Sequence, residues 1–345
     1  MSVSDVTIPN PGSLLPVEIL ESVFAYAGYP PAIELVCKDW LEIVRNPKTT
    51  FALLKERKIQ FGIEGIIDEK QVEVGKKIEE IQAIFIGRLT PFVLNEEISF
   101  FKTRPPTITT LLYLHSLGQD WNVVKCFHAI QKQVGSQLKT PQDLEIGELT
   151  VAKQAPSIRR ILNLKENQAV LQTITEIDLN SLGLTVVPEE LSLLREVKSV
   201  KLAFNSLRTI SSHFGSAWTK LNELHLNNSQ IERLPEGFGD TWPELKSLYL
   251  FDNKVPSLPQ NFGSQWKKVR QVFLQMNKIT SLESGFGVAW VEVQGIKLSN
   301  NLLDKLPGNF GLHWGLLQHF EVCKNHSPID VEQLKKQWPK IRICK

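Results

Sequence analysis

The sequence predicts a chain of two parts, an α-helical N-terminal half and an α/β solenoid whose short parallel strands form one concave sheet. Two observations indicate the solenoid: a tryptophan recurs every 24 residues in the second half, and a Phe-Gly pair precedes each of these tryptophans. A third observation indicates the helices, because apolar residues in the first half recur at spacings of three and four, as on one face of a helix. The pattern changes near residue 156, so the solenoid and its caps are expected to follow that point.

The repeat is anchored by five tryptophans, each with a phenylalanine four residues before it and a glycine three residues before it. A phenylalanine and a tryptophan four apart would share one face of a helical turn. Both columns are therefore predicted to lie inside the convex wall as core, and not as a surface that stacks on a ligand. The tryptophans are Trp218, Trp242, Trp266, Trp290 and Trp314, and the pairs are Phe214-Gly215, Phe238-Gly239, Phe262-Gly263, Phe286-Gly287 and Phe310-Gly311.

Between the anchors, apolar residues follow the pattern L-x-x-L-x-L-x-x-N-x-L-x-x-L-P, which is clearest in the copy that begins at Leu245. The other copies begin at Val197, Leu221, Val269, Val293 and Leu317, with a degenerate first copy at Ile174. This pattern resembles the leucine-rich repeat family, and a 24-residue unit falls within that family's range. One unit cannot bury its apolar side alone, so the resemblance implies that residues 174–326 stack into a curved solenoid.

An asparagine column runs through these copies and is predicted to be buried. Buried amides must be hydrogen-bonded, and the backbone of adjacent turns is the expected partner. Ser229 interrupts the column in the third unit. The members are Asn205, Asn253, Asn277, Asn301 and Asn325.

Both ends of such a solenoid need a cover, because the outer repeats would otherwise expose apolar surface. Residues 156–173 carry apolar residues at helical spacing and are predicted to form the N-terminal cap. Residues 327–345 are predicted to form the C-terminal cap. In this cap Ser327 and Pro328 begin a short helix that runs through Leu334.

The N-terminal half begins with residues 1–13, which are rich in Ser, Pro, Gly and Asn and are predicted to be a disordered lead-in. Residues 14–46 predict a helical hairpin, with L-P-x-E-I at the start of the first helix and V-C-K-x-W in the second. These motifs resemble the F-box family, although the connection at residues 28–32 is shorter than is usual there. The resemblance implies that the hairpin binds the Skp-type adaptor of an SCF ubiquitin ligase. It assigns this contact to Leu15, Pro16, Glu18, Ile19, Val23, Phe24, Val36, Cys37 and Trp40.

An ordinary helical hairpin packed on residues 50–150 is the alternative interpretation of the same segment. Two short amphipathic helices bury too little apolar surface to fold well alone, so they need a partner of one kind or the other. Residues 47–155 predict a helical spacer punctuated by prolines. Gly75-Lys76-Lys77 does not fit the phosphate-loop template, because no glycine stands five residues before it and no Ser or Thr follows the lysines.

No catalytic, cofactor-binding or metal-binding motif is found, so the chain is predicted not to be an enzyme. Cys126 and His128 come nearest to a catalytic pair, but no acidic residue is placed beside them. A buried structural cysteine is the better interpretation of Cys126.

Composition narrows the partners and the compartment. A net charge of +2 over 345 residues, without a long basic block, argues against nucleic acid as a partner. The lack of an 18-residue apolar run argues against a membrane span. The four widely spaced cysteines, Cys37, Cys126, Cys323 and Cys344, argue against a disulfide framework and favour a reducing compartment. Since no export signal is visible at the N-terminus, a cytoplasmic location is expected.

The strand pattern also predicts which residues line the concave face, because side chains alternate along a strand. Apolar residues gather at the middle of this face and charges stand toward its ends, which is typical of a protein-binding hot spot. The alternative is that these are single exposed apolar residues of the kind found on any surface. The predicted target-binding residues are Lys201, Phe204, His225, Tyr249, Phe251, Phe273, Met276 and Lys297.

Together the two resemblances imply a substrate-recruiting adaptor of an SCF (cullin-type) ubiquitin ligase. The F-box would bind the Skp-type adaptor, the concave face would bind an unknown target protein, and catalysis would belong to a recruited enzyme. The short repeat type is more similar to bacterial repeat proteins, which suggests an effector that mimics eukaryotic F-box proteins in the host-cell cytosol. The alternative is a non-enzymatic protein-binding repeat module without a ligase connection. Neither hypothesis includes a cofactor, a nucleic acid or a membrane.

Overall fold

A computed structural model describes residues 82–83, 108–141, 151–327, 329, 332–338 and 341–343. The chain divides into two compact units, Met1–His115 and Ser116–Lys345. The F-box-like segment 14–46 and most of the predicted spacer lie outside the described residues. The sheet and the elements that cover its ends belong to the second unit.

Three helices with described bounds precede the sheet: α1 at Ile108–Val134, α2 at Val151–Leu162 and α3 at Lys165–Leu171. One 3₁₀ turn, Gly135–Gln137, ends α1, and another, Glu189–Leu193, lies in the first repeat. Buried residues of α1 recur at helical spacing, among them Val123, Phe127 and Ile130. Such a stripe stabilises a helix mainly through the surface on which it packs.

Eight short strands form one parallel sheet in strict sequence order. From β2 to β7, residues 24 apart in the sequence are partners in register, as in Leu224 with Leu248. The predicted parallel-sheet solenoid is therefore confirmed. The strands are β1 Glu176–Asp178, β2 Ser199–Lys201, β3 Glu223–His225, β4 Ser247–Tyr249, β5 Gln271–Phe273, β6 Gly295–Lys297, β7 His319–Glu321 and β8 Arg342–Ile343.

The core lies between this sheet and the convex wall. The middle residue of each strand from β1 to β7 points into it, and so does the residue two positions later, as Leu248 and Leu250 show by complete burial. This two-residue alternation leaves the first and third residue of each strand on the concave side. The sheet therefore has one buried face and one face exposed to solvent.

The convex wall is built from the Phe-Gly-x-x-Trp segments, which are successive turns and not the helical turns that the four-residue spacing suggested. In each turn the backbone N–H of the tryptophan donates to the carbonyl of the glycine three residues before it, as in Trp266 to Gly263 at 3.1 Å. The glycines have positive φ, for example 85° at Gly239, which prevents a continuous helix. The tryptophans are buried as predicted, and indoles of adjacent repeats stack 6.0–6.4 Å apart from Trp242 to Trp314.

The same glycines admit the tryptophan of the next repeat. A Cβ at Gly239 would lie 2.5 Å from Cζ2 of Trp266, and the Gly239 carbonyl accepts the Trp266 indole N–H at 2.9 Å. Glycine is needed here both for its backbone conformation and for this close approach. The motif therefore links each repeat to the next as well as shaping its own turn.

The asparagine ladder is confirmed. In Asn253, Nδ2 donates to the carbonyls of Leu226 and Leu250, while Oδ1 accepts the N–H of Ile231. The corresponding bonds recur at Asn205, Asn277, Asn301 and Asn325. Each amide thus joins its own repeat to the one before it. At the break, the buried Ser229 Oγ has no hydrogen-bond partner.

At the N-terminal end, polar contacts join α1 and α2 to the first repeat. The Asn122 side chain bonds with Thr185 at 3.1 Å, and Lys125 Nζ donates to the Gly183 carbonyl at 3.0 Å. Arg159 on α2 lies between Asp120 and Glu190, at 2.9 Å and 2.6 Å from their carboxylates. Helix α1, which was predicted to be part of the spacer, thus also contacts the first repeat.

At the C-terminal end, the cap differs in detail from the prediction. Helix α4 runs over Glu332–Gln337 and does not begin at Ser327. Ser327 instead bonds to the preceding repeat: its Oγ donates to Asp304 at 2.9 Å and its backbone N–H donates to the Leu303 carbonyl. Trp338 stacks on Trp314 at 5.9 Å, and β8 then pairs with β7. The 24-residue tryptophan column therefore continues into the cap, which was not predicted.

Cys323 is disulfide-bonded, a bond that the wide spacing of the cysteines did not indicate.

Candidate functional site

The concave face is made of four rows of residues, one from each position of the repeat that turns away from the core. The first and second rows are the first and third residues of each strand. The third row follows two positions later, and the fourth row comes immediately after it. In the repeat of β4 these four residues are Ser247, Tyr249, Phe251 and Asp252.

The second row forms a continuous contact ladder across β3–β7. The rings of His225 and Tyr249 stack 4.2 Å apart, and the rings of Tyr249 and Phe273 meet edge-on at 5.3 Å. Lys297 Nζ then lies 5.3 Å from the centre of the Phe273 ring and 3.0 Å from Glu321. Adjacent strands are about 4.8 Å apart, so side chains of one row touch directly. The structure thus brings together four of the predicted target-binding residues.

First-row residues support this ladder from one side. The Tyr249 hydroxyl donates to Gln271 Oε1 at 3.2 Å, and His225 Nε2 lies 2.9 Å from Glu223 Oε1. Burial and the charge of Glu223 raise the pKa of Tyr249, while a hydrogen bond with Ser247 lowers it. The phenol therefore stays protonated and acts as a donor. Glu223 and Gln271 were not among the predicted residues, although the same two-residue alternation identifies their row.

In the third row, half-buried Phe251 stands between Asn227 and Gln275. Asn227 is only 5% exposed, and neither its Oδ1 nor Gln275 Oε1 has a hydrogen-bond partner. Buried acceptors of this kind are costly, because they have lost water without gaining a donor. The third row thus combines an aromatic ring with two unused hydrogen-bond acceptors.

The fourth row has a left-handed backbone in every repeat from Ser181 to Lys324. Asparagine or aspartate, which tolerate this conformation, occupy it at Asn228, Asp252 and Asn300. Phe204 and Met276 occupy it as well, at φ 58° each, with 59% and 50% of their surfaces exposed. Large apolar side chains held in a strained backbone and turned to solvent are typical of functional positions.

The remaining predicted residues fall into two groups. Lys201 is half-buried in the second row, in register with His225 on the next strand. The predicted adaptor-binding residues from Leu15 to Trp40 all lie outside the described residues, so their role stays a prediction.

Cys126, the cysteine nearest to a catalytic pattern in the sequence, is buried. Burial raises the pKa of the Cys126 thiol far above its ordinary value, which is the opposite of what a thiolate nucleophile needs. Across the described ranges, His, Cys, Asp and Glu form no group of three or more that could hold a metal ion. No helix in that part of the chain has the length and apolarity to cross a bilayer.

Comparison with a family model supports the repeat assignment. Residues 195–255 match the model of the leucine-rich repeat family. The structure of a leucine-rich-repeat protein from Leptospira interrogans is 21% identical over 53% of this chain and 57% of its own, with a TM-score of 0.40. A chain of the Toll–Spatzle complex from Drosophila is 22% identical over 41% of this chain and 19% of its own, with a TM-score of 0.37. The chain therefore spans less than two thirds of either neighbour, and no curated protein matches it.

Proposed function

We propose that this chain, a parallel-sheet solenoid containing leucine-rich repeats, is a non-enzymatic protein-binding scaffold that holds its partner on the concave face. The ladder from His225 to Lys297 is the observation that carries the proposal. It offers aromatic surface at the centre of the face, with charged groups toward its ends. Aromatic groups surrounded by a polar rim are the usual anchors of protein interfaces.

Phe204 and Met276 add to this surface at its edge. Their exposed side chains lie three repeats apart, which corresponds to about 14 Å at the ordinary strand spacing. A partner that contacts both would lie across the strands and cover the ladder between them. The concave face therefore suits an elongated protein segment better than a small molecule.

Site-specific photo-crosslinking tests the location of binding. A photoreactive phenylalanine analogue would replace Phe251 in the full chain, and in a control it would replace Val291, an exposed residue of the convex wall. We expect the crosslinked partner at position 251, and we expect it to be lost when Tyr249→Ala is added. Crosslinking of the same partner from position 291 alone would place binding on the convex wall and contradict the proposal.

We further propose, from the L-P-x-E-I and V-C-K-x-W motifs, that the scaffold serves as a substrate-recruiting adaptor of an SCF ubiquitin ligase. The F-box-like segment 14–46 would bind the Skp-type adaptor and the concave face would bind the target. Co-purification with a Skp-type adaptor tests this role, beside a Leu15→Ala, Pro16→Ala double variant. Loss of co-elution in the variant supports it, whereas no co-elution with the folded wild-type chain leaves a scaffold without a ligase connection.

This role places the chain in the cytosol, as a host-cell protein or as a bacterial effector that mimics one. The disulfide at Cys323 opposes that location, because disulfides persist mainly in oxidising compartments. Alkylation of thiols at the moment of cell lysis distinguishes a cytosolic location from an oxidising compartment. A Cys323 that is alkylated in protein from the cytosol supports the ligase role, and a Cys323 that is protected there contradicts it.

A further inference from the structure

We propose that the centre of the concave face binds an arginine side chain of the partner protein, an inference that rests on the function proposed above. The site consists of two carboxylates, two side-chain carbonyls and an aromatic ring, and is called the acceptor patch. Its members are Glu223, Asn227, Phe251, Asp252 and Gln275.

The carboxylates of the acceptor patch lack a cationic partner of the usual kind. Asp252 accepts a hydrogen bond from Asn228 Nδ2 at 2.5 Å, and Glu223 is approached by His225 at 2.9 Å. Within the described residues, neither carboxylate pairs with a lysine or an arginine. None of the outward residues of the β3, β4 and β5 repeats is a lysine or arginine either. The patch therefore holds negative charge without a fixed counter-charge.

The unused carbonyls follow from these hydrogen bonds. An ionised Asp252 can only accept, so Asn228 must turn its NH₂ group toward it. The Asn228 oxygen then faces Asn227, which donates to it from Nδ2 at 2.8 Å. Asn227 is left with its own oxygen unpaired, and Gln275 Oε1, on the other side of Phe251, is unpaired as well. Both oxygens are buried in the free chain, so a donor from outside reaches them only where the amide side chains turn outward.

The aromatic ring of the patch suits a cation. Lys297 already lies over Phe273 at 5.3 Å, so a ring of this face accepts a positive group. Phe251 stacks on no other ring of the described chain, which leaves its face to the partner. Asn227 and Gln275 flank Phe251 on the two neighbouring repeats, about one strand spacing away on either side.

Arginine fits this arrangement better than lysine. The guanidinium is planar, carries five N–H donors and no acceptor, and stacks on aromatic faces. With one of the amides turned outward, it can donate to that carbonyl and to the Asp252 carboxylate while it lies on Phe251. An ammonium group is compact and more strongly hydrated, so it would leave part of the acceptor patch unpaired.

Peptide selection tests the inference on the full chain. Random peptides displayed on phage would be selected on the immobilised protein and retained only if Phe251→Asp abolishes their binding. We expect an arginine at one fixed position of the retained peptides. Its replacement by citrulline, which keeps the shape and removes the charge, should weaken binding about tenfold or more, because charge-assisted hydrogen bonds are lost.

Protein variants complete the test. In Asp252→Asn, which the left-handed backbone tolerates, arginine and citrulline peptides should bind with nearly equal affinity. The control Glu283→Gln changes an exposed carboxylate away from the face and should keep the full difference. Retained peptides without arginine, or equal affinities on the wild-type chain, overturn the inference and leave the scaffold function intact. Failure to retain any peptide that depends on Phe251 overturns both.

Discussion

At the ladder position, one asparagine side chain joins two repeats through three hydrogen bonds that no other residue type supplies with the same geometry. Its Oδ1 accepts a backbone N–H of the preceding repeat, and its Nδ2 donates to one carbonyl of each repeat. Side-chain hydrogen bonds of this kind satisfy backbone groups that would otherwise be buried without partners. The serine at position 229 is too short to do so, and its own hydroxyl is left unpaired.

Replacement of that serine should stabilise the protein. In Ser229→Asn, the new amide would accept the Leu207 N–H and donate to nearby carbonyls, as Asn253 does one repeat later. We expect the free energy of unfolding in urea to rise by about 1 kcal/mol, the usual net value of such bonds. Ser257→Asn, at an exposed position, serves as the control and should change little. An unchanged or lower midpoint for Ser229→Asn would show that the third repeat has no room for the amide.

Phe204 and Met276 show a residue type that opposes its local backbone. A left-handed conformation costs an ordinary side chain about 1–2 kcal/mol relative to the right-handed one. Phe204→Asn and Met276→Asn should each raise the free energy of unfolding by about 1 kcal/mol while they weaken binding of the partner. Leu302→Asn is a matched control, because Leu302 is similarly exposed but is not among the positive-φ residues. Destabilisation by both changes would mean that these side chains stabilise the fold through packing.

At the scale of one element, the Phe-Gly-x-x-Trp turn combines three interactions that depend on one another. The phenylalanine packs edge-on against its tryptophan, as in Phe262 and Trp266 at 4.8 Å. The glycine supplies the bend and the open space, and the indole N–H of the next repeat closes on the glycine carbonyl. A substitution of any one of these residues therefore changes contacts in two repeats.

Removal of one indole measures that coupling. Trp266→Ala should lower the free energy of unfolding by about 3–5 kcal/mol, because a buried aromatic leaves a cavity. It also leaves the Gly239 carbonyl without its donor. Thermal unfolding followed by circular dichroism checks this, with the exposed neighbour Lys267→Ala as the control. A melting curve unchanged by Trp266→Ala would contradict the buried position of the column.

The junction between the helices and the first repeat is a second element with a pH-dependent contribution. Burial raises the pKa of Asp120, while the charge of Arg159 and its hydrogen bond lower it. In Arg159→Gln both lowering effects are lost, so the folded-state pKa rises further above the unfolded one. A carboxyl with a raised folded-state pKa destabilises the fold when it is ionised, and this effect fades as the pH falls through that pKa.

Arg159→Gln should therefore cost more stability at pH 7 than at pH 4. We expect a loss of about 1–3 kcal/mol at neutral pH, at the lower end because the Arg159 side chain is 41% exposed. Chemical unfolding at the two pH values measures the difference. Arg195→Gln, at an exposed position in the first repeat, should show no such difference. Equal losses at both pH values would show that the ionisation of Asp120 does not depend on Arg159.

At the scale of the whole molecule, the repeat was predictable because stacking requires every unit to place the same residue types at the same spacing. The inward leucines, the tryptophan column and the asparagine ladder all follow from that periodicity. The concave residues were predictable as rows, since alternation along a strand decides which side chains turn outward. Contacts within a row, such as the stack of His225 on Tyr249, depend on side-chain torsions and could not be predicted.

Other features were missed for identifiable reasons. Trp338 keeps the 24-residue spacing, but Ser327 and Pro328 indicated a separate helical cap for the segment after residue 326. The left-handed backbone at Phe204 could not be predicted, because phenylalanine rarely adopts that conformation. The disulfide of Cys323 could not be predicted from the wide spacing of the four cysteines. The F-box interpretation of residues 14–46 stays a prediction.

The stacked tryptophans have a further consequence, which is optical. From Trp242 to Trp338 the indole planes are inclined by only 7–12° to their neighbours and lie 5.9–6.4 Å apart. Excitation energy passes between chromophores that are so close and so nearly parallel. The fluorescence that follows absorption at one repeat therefore depends on the stacking of all the indoles in the column. Intrinsic tryptophan fluorescence therefore reports on the stacking of the repeats without an added label, because separation of any two repeats changes the emission wavelength and the intensity.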